Sequence, residues 1–178
     1  MSRVLIILLS LLLSGSAGRA GNIEVGNDKR VATIQEALRM AAAGDTILVS
    51  PGTYREKNIV INKSIVLLGK DYPVLDGEHA YEILSVKANR VVIRGFRLVH
   101  SGVSSMEDIA AIKIYNARNV IISDNILYDT FFGIYAQSSA NCLFENNKLT
   151  GIAVTEQASG NGIHCWKSDS MQIIGNTV

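Results

Sequence analysis

Cysteine, proline and tryptophan are scarce in this chain of 178 residues, which has two, two and one of them. Two cysteines allow a single disulfide at most, which excludes a small scaffold stapled by several bridges. Two prolines beside fifteen glycines fit many strands with few long loops. An excess of charge is also missing. Lys and Arg number 17 against 16 Asp and Glu, which gives no electrostatic case for nucleic acid as a partner. No long hydrophobic run is present. The longest, Val4 to Leu13, is about half of what a membrane-spanning helix needs. His-x-His, Cys-x-x-Cys and methionine-rich runs are absent, so no metal motif is written in local spacing.

The chain opens "MSRVLIILLSLLLSGSAGRAG": a short basic start at Arg3, an apolar run, then small residues. This is the layout of a secretory signal peptide, so the protein is expected to be exported and residues 1–20 removed. Cleavage after Ala17 or Ala20 leaves a small residue at the cut and another two before it. After Ala20, the loss of Arg3 and Arg19 leaves 15 basic against 16 acidic residues. An uncleaved anchor is the alternative. No cysteine lies near the cut to carry a lipid.

A repeat sets the architecture. Four segments align without gaps: "ILSVKANRVVIRGFRL" from Ile83, "IKIYNARNVIISDNIL" from Ile112, "IYAQSSANCLFENNKL" from Ile134 and "IHCWKSDSMQIIGNTV" from Ile163. Eight residues on come Val91, Val120, Cys142 and Met171; fifteen on come Leu98, Leu127, Leu149 and Val178. An earlier turn places Ile65 to Gly69 in the register of Val91 to Gly95. Each repeat reads as short alternating strands joined by Asn-, Gly- and Ser-rich bends. One such coil cannot bury its apolar face alone, whereas stacked coils can. The expected fold is therefore all-β: a parallel β-helix, right-handed because parallel crossovers favour that hand. A leucine-rich repeat is the rival, disfavoured because the interval has no helical segment.

The exposed end of a solenoid needs a cap. Thr33, with Glu36 three residues on, predicts a helix N-terminus with a capping box. Ile34, Ala37, Leu38 and Ala41 form its apolar stripe, and Gly44 ends it. "TILV" follows as the first strand. Residues 21–178 then form the N-terminal part of a β-helix domain, expected to continue in a longer protein because no second cap appears.

Alternation assigns faces. With each starting isoleucine inward, Ser85, Ile114, Ala136 and Cys165 also face the core. Leu84, Lys113, Tyr135 and His164 face out, as do Val86, Tyr115, Gln137 and Trp166. Cys142 is inward too, but it sits eight residues into its coil and Cys165 two into the next. The favoured reading is two free buried thiols. Asn125, Asn147 and Asn176 share one slot, which suits an asparagine stack at a bend.

Two insertions, "HSGVSSMEDIAA" and "TGIAVTEQASGNG", leave the solenoid at one corner, two coils apart. They would stand about 10 Å from each other and flank a groove. It would run toward Lys113, Tyr115, Tyr135, His164 and Trp166, with Glu107, Asp108 and Glu156 as nearby loop acids. Either this face binds a ligand or partner, or the loops simply cover its aromatics. Histidine and methionine suit copper, which makes His164 and Met106 the candidate metal ligands, although His79 and His100 lie on other bends. Catalysis has thin support. Lys113 and His164 could serve as bases, but no outward aspartate ladder and no facing carboxylate pair accompany them.

"SSMEDIAAIKIYNARNV", "DTFFGIYAQSSANC" and "SGNGIHCWKSDS" resemble the NosD family, periplasmic β-helix proteins that help mature nitrous oxide reductase. "GDTILVSPGTYRE" and "PVLDGE" are also similar to its first coils. The resemblance implies a pectin-lyase-like, right-handed β-helix in the periplasm. It implies work with an ABC transporter ATPase and its membrane subunit in supplying copper to the reductase or a copper chaperone, and no catalysis by this subunit. It supplies no copper-ligand pattern. The runner-up is a carbohydrate-binding or carbohydrate-cleaving β-helix protein.

Overall fold

The structure, a computed structural model, describes residues 20–104, 106–151 and 160–178. Residues 1–19 of the expected signal peptide and Glu156 lie outside the described residues. The chain winds as a parallel solenoid with three walls. The first sheet stacks β1 (Asn22–Val25), β2 (Thr46–Val49), β5 (Val66–Gly69), β8 (Val92–Arg94), β11 (Ile121–Ser123), β14 (Leu143–Glu145) and β17 (Gln172–Ile174). The second stacks β3 (Thr53–Tyr54), β6 (Val74–Asp76), β9 (Arg97–Val99), β12 (Ile126–Tyr128) and β15 (Lys148–Thr150). The third stacks β4 (Ile59–Ile61), β7 (Leu84–Val86), β10 (Ala110–Tyr115), β13 (Phe132–Gln137) and β16 (Ile163–Trp166). No described helix is long and apolar enough to cross a membrane.

Strict register makes the core a set of columns. Ile23, Ile47, Leu67, Ile93, Ile122, Phe144 and Ile173 stack along the first sheet. Equivalent columns on the other walls meet them, so Ile47, Leu67, Leu75, Leu98, Ile112, Ile122, Leu127 and Phe144 are fully buried. β-Branched residues dominate because their stiff side chains pack well on a pleated surface. At one bend two glycines touch: a Cβ on Gly69 would lie 2.3 Å from the carbonyl oxygen of Gly95, itself at φ +79°.

The asparagine slot forms a continuous ladder. Asn147 donates from its backbone N and from Nδ2 to Asn176 Oδ1, both at 2.9 Å. Asn125 donates to Asn147 Oδ1 in the same two ways at 3.0 Å, and Phe96 N donates to Asn125 Oδ1. Each amide also donates to a carbonyl of the preceding coil: Ile93, Ile122 or Phe144. Buried polar groups are thereby paired, as burial requires.

The helix α1 (Ile34–Met40) covers the first coils with Ile34, Ala37 and Leu38. Thr33 is its N-cap and accepts from Glu36 N. The next two free N–H groups, of Ile34 and Gln35, donate to the carboxylate of Glu56 at 2.7 and 2.9 Å. A distant acid therefore completes the cap. The helix ends at Met40 with Ala41 as C-cap, not at Gly44, which lies in the following turn at φ +95°. A strand missed by pattern, β1, precedes it and pairs with β2.

The gapless alignment fails at one coil. Leu84, not Ile83, pairs with Ile112, and Val86 pairs with Ile114. The bend from Val86 to Val91 is one residue shorter than the bend from Ile114 to Val120. Leu84 and Val86, expected outside, are therefore core residues, and Ser85 takes the outward position of Lys113. Cys165 needs a different correction. It pairs with Ala136, an inward residue, yet it is exposed because no coil stacks on its far side among the described residues. Cys142 is buried, and both thiols are free.

Candidate functional site

Both insertions connect the second sheet to the third, β9 to β10 and β15 to β16, as their spacing predicts. The first folds down over the outward face of the third sheet. Ser104 Oγ accepts from Met106 N and Glu107 N, closing a tight turn. Asp108 then makes two contacts with the sheet. Its backbone carbonyl accepts from Lys113 Nζ at 2.8 Å, and its Oδ2 accepts from Tyr135 OH at 3.0 Å. Lys113 lies between two rings, 5.1 Å from the centroid of Tyr115 and 4.9 Å from that of Tyr135. Cation–π attraction and the carbonyl hold the ammonium in place. Lys113 and Tyr135 do face away from the core, but the loop buries them to 8% and 4% exposure. For these two residues, loop packing accounts for the geometry.

The loop divides the outward face. On one side lies a cleft of about 220 Å³ lined by Asn58, Tyr81, Glu82, Glu107, Lys113 and Tyr115. Glu82 is its central group. Both of its oxygens accept from Tyr115 OH at 3.1 and 3.0 Å, and Ser85 Oγ donates to Glu82 Oε1 as well. Ser85 Oγ also lies 2.6 Å from Asn58 Oδ1. Burial pushes the Glu82 carboxyl above its ordinary value despite these hydrogen bonds and the cations Lys113 and Lys87. Tyr115 is pushed up strongly, first by burial and then by the Glu82 charge. This network is internally satisfied, and it positions Tyr115 rather than offering a free carboxylate.

On the other side lies an open cleft of about 430 Å³ lined by Asp108, Phe132, Tyr135, Gln137, His164 and Trp166. β13 and β16 build it, with Tyr135 beside His164 and Gln137 beside Trp166 in register. The His164 ring stacks on Tyr135 with centroids 4.8 Å apart and planes at 29°. Phe132 meets both rings edge-on. Asn161 Nδ2 lies 2.8 Å from His164 Nδ1 and fixes the imidazole from the loop side. The Tyr135 hydroxyl is raised to about 12 by burial and by Asp108, so it stays a neutral donor. Trp166 is 42% exposed, with the Lys167 ammonium 4.3 Å from its ring centroid. The arrangement offers an aromatic platform edged by an amide, an imidazole and a carboxylate.

The expected binding residues thus separate into two groups. Lys113, Tyr115, Glu107 and Asp108 belong to the first cleft and the loop. His164 and Trp166 form the second cleft, with Tyr135 as their support. Met106 is 92% exposed on the loop. The second cleft brings no sulfur and no second imidazole to His164 among its described lining residues. Glu82, Asn58, Ser85, Gln137 and Phe132 were missed. The register slip hid Glu82 and Ser85, whereas Gln137 already stood in the outward column of Tyr115 and Trp166.

The family described as a right-handed β-helix region matches residues 18–178. The chain belongs to the right-handed β-helix family. A cell surface glycoprotein of Methanothermus fervidus is 31% identical over 99 residues, covering 54% of this chain and 16% of that protein. The chain thus spans about a sixth of the curated relative it matches. A rhamnogalacturonan lyase structure is similar at 14% identity and a TM-score of 0.47, over 88% of this chain and 56% of that one. A pectin methylesterase from Aspergillus niger is similar at 13% identity and a TM-score of 0.37, over 90% of this chain and 77% of that one.

In this β-helix protein the Glu82 network makes a pH prediction. Its folded pKa lies above the ordinary carboxylate value of 4.5. Folding therefore favours the protonated form. That contribution is complete below about pH 4 and is lost as the pH rises through the raised folded value. Asp45 and Asp76 are shifted down and act in the opposite sense, so the wild-type curve alone mixes these effects. Urea unfolding of wild type and Glu82→Gln across pH 4–8 separates them. The variant should gain stability relative to wild type as the pH rises. A difference that does not change with pH would show that Glu82 does not titrate abnormally.

Proposed function

We propose that the chain is the binding module of an exported β-helix protein, and that the second cleft takes a carbohydrate. The observation that carries this is the half-exposed Trp166 beside the Tyr135–His164 stack, with Gln137 and Asp108 at the edges. The apolar face of a sugar ring can lie on an aromatic plane while its hydroxyls bond the surrounding polar groups. The Lys167 ammonium lies over one face of the indole, so the sugar would take the other face or displace it, and the displaced ammonium would meet a carboxylate on that ring, which favours uronic-acid sugars. The signal-like N-terminus and the cell surface glycoprotein relative support placement outside the cytoplasm. Glu82 and Asp108 are both engaged by protein donors, so the reading is binding without cleavage.

The test is calorimetric titration of uronic-acid and neutral oligosaccharides into wild type and Trp166→Ala. Loss of the platform should weaken binding by about 10- to 100-fold, each tenfold being about 1.4 kcal/mol. Release of unsaturated sugars from a polyuronate would replace the binding reading with a lyase reading.

A second reading follows the similarity of "TFFGIY" and "GNGIHCWKS" to the NosD family. In it, the protein is a periplasmic accessory to nitrous oxide reductase maturation. It would work with an ABC transporter and handle copper. That reading requires tight Cu(I) binding that His164→Ala or Met106→Ala abolishes. Cu(I) binding unaffected by both substitutions would remove its candidate site.

A further inference from the structure

On three successive coils, the bend after the second sheet carries His79, His100 and Asp129. All three adopt the left-handed conformation, with φ of 54°, 56° and 53°. His100 and Asp129 follow their strands directly, and His79 reaches the same corner through two further bend residues, Gly77 and Glu78. His79 N donates to His100 O at 2.8 Å, and His100 N donates to Tyr128 O at 3.4 Å, so the backbone ladder continues through the corner. The two imidazole rings lie with centroids 4.5 Å apart at 33°. His79 Nε2 is 3.8 Å from Asp129 Oδ2. One ligand atom from each of the three residues lies within 4.8 Å of the other two.

His100 is also fixed from behind. Its Nδ1 lies 2.9 Å from Asp76 Oδ1, and that carboxylate is itself held by Glu78 N at 3.0 Å and Arg55 Nε at 3.5 Å. A carboxylate on Nδ1 places the proton there and leaves Nε2 as the lone-pair nitrogen. This carboxylate–histidine pairing is the usual support behind a metal-bound imidazole, and it sets both ring orientation and ligand basicity.

We propose that His79, His100 and Asp129 bind one divalent transition-metal ion of the zinc type, with Asp76 as the positioning residue for His100. Two imidazoles and one carboxylate match zinc, whose bonds of about 2.0–2.2 Å would place ligand atoms roughly 3.3 Å apart in a tetrahedron. The contraction from 4.8 Å is available because the side chains are exposed at 61%, 36% and 27% for His79, His100 and Asp129. Calcium and magnesium would need an oxygen-rich shell that this set does not supply. The fourth position faces solvent and would take water or a ligand oxygen. The ion would pin three coils at one corner, remote in sequence from the Trp166 cleft.

The experiment uses the full chain, stripped with a chelator and titrated with zinc chloride by calorimetry. Thermal unfolding with and without zinc is a second readout. The expected result is one zinc per chain and a raised unfolding midpoint. His79→Ala and His100→Ala should each weaken binding at least about 100-fold, and Asp76→Asn by about 10- to 100-fold. Far-ultraviolet circular dichroism of the stripped variants checks that each is folded, and His164→Ala should bind zinc as wild type does. Absence of saturable zinc binding would overturn the proposal. So would binding unchanged in both His79→Ala and His100→Ala, or binding lost in His164→Ala instead.

Discussion

Asn147→Ala is expected to lower the free energy of unfolding by about 3–5 kcal/mol, read from the urea midpoint at constant slope. Asn147 is fully buried. Its Oδ1 is the acceptor for both the backbone N and the Nδ2 of Asn125, and its own Nδ2 donates to Ile122 O. Truncation leaves the Asn125 N–H and the Ile122 carbonyl without these partners at a bend closed to water. Each orphaned buried group costs about 1–3 kcal/mol, and the vacated volume adds to that. Asn176→Ala should cost much less, about 1 kcal/mol. Asn176 is only half-buried in the last described coil, where water can replace its bonds. Equal costs at the two positions would show that the ladder is not the stabilising unit.

Phe144→Ala is expected to cost a further independent 3–5 kcal/mol or so. Phe144 is one of the two largest fully buried side chains, and it stacks between Ile122 and Ile173 in the first-sheet column. The rigid coil spacing limits how far neighbours can collapse into the hole. Ile174, one residue beyond Ile173, stacks outward on Glu145 and is half-exposed. Ile174→Ala should therefore change stability by no more than about 0.5 kcal/mol. Ile173 in the same coil is as exposed as Ile174, so denaturant unfolding of the two variants side by side checks that the cost follows burial along this wall.

The columns were legible because repeat spacing fixes register residue by residue. Ile112, Ile134 and Ile163 align in space as they do in sequence, and so do the three asparagines. The two insertions leave from one corner, as their matching lengths require. The slip at Ile83 was not legible, for a physical reason. Ile83, Leu84 and Val86 are all apolar and all buried, so alternation alone accepts either register, and an isoleucine match favoured the wrong one. That choice hid the Glu82–Ser85–Tyr115 network. Cys165 takes its expected inward slot beside Ala136 but is exposed, because burial of an inward residue depends on the coil above it, not on its own strand. The covering of Lys113 and Tyr135 depended on where Asp108 would land, which spacing does not reveal. His100 and Asp129 each stand two residues after an aligned leucine, Leu98 and Leu127. The corner cluster was therefore half-visible in the repeat, while His79 reaches it through a bend of different length.

Trp166 is the one tryptophan of the chain, so its emission reports directly on the proposed binding cleft. Titration with uronic-acid oligosaccharides should give a saturable change in tryptophan fluorescence, with the same midpoint as the calorimetric binding curve. Calorimetric binding that saturates while the emission stays unchanged would place the sugar elsewhere. Absence of binding to both uronic-acid and neutral oligosaccharides would contradict the account outright.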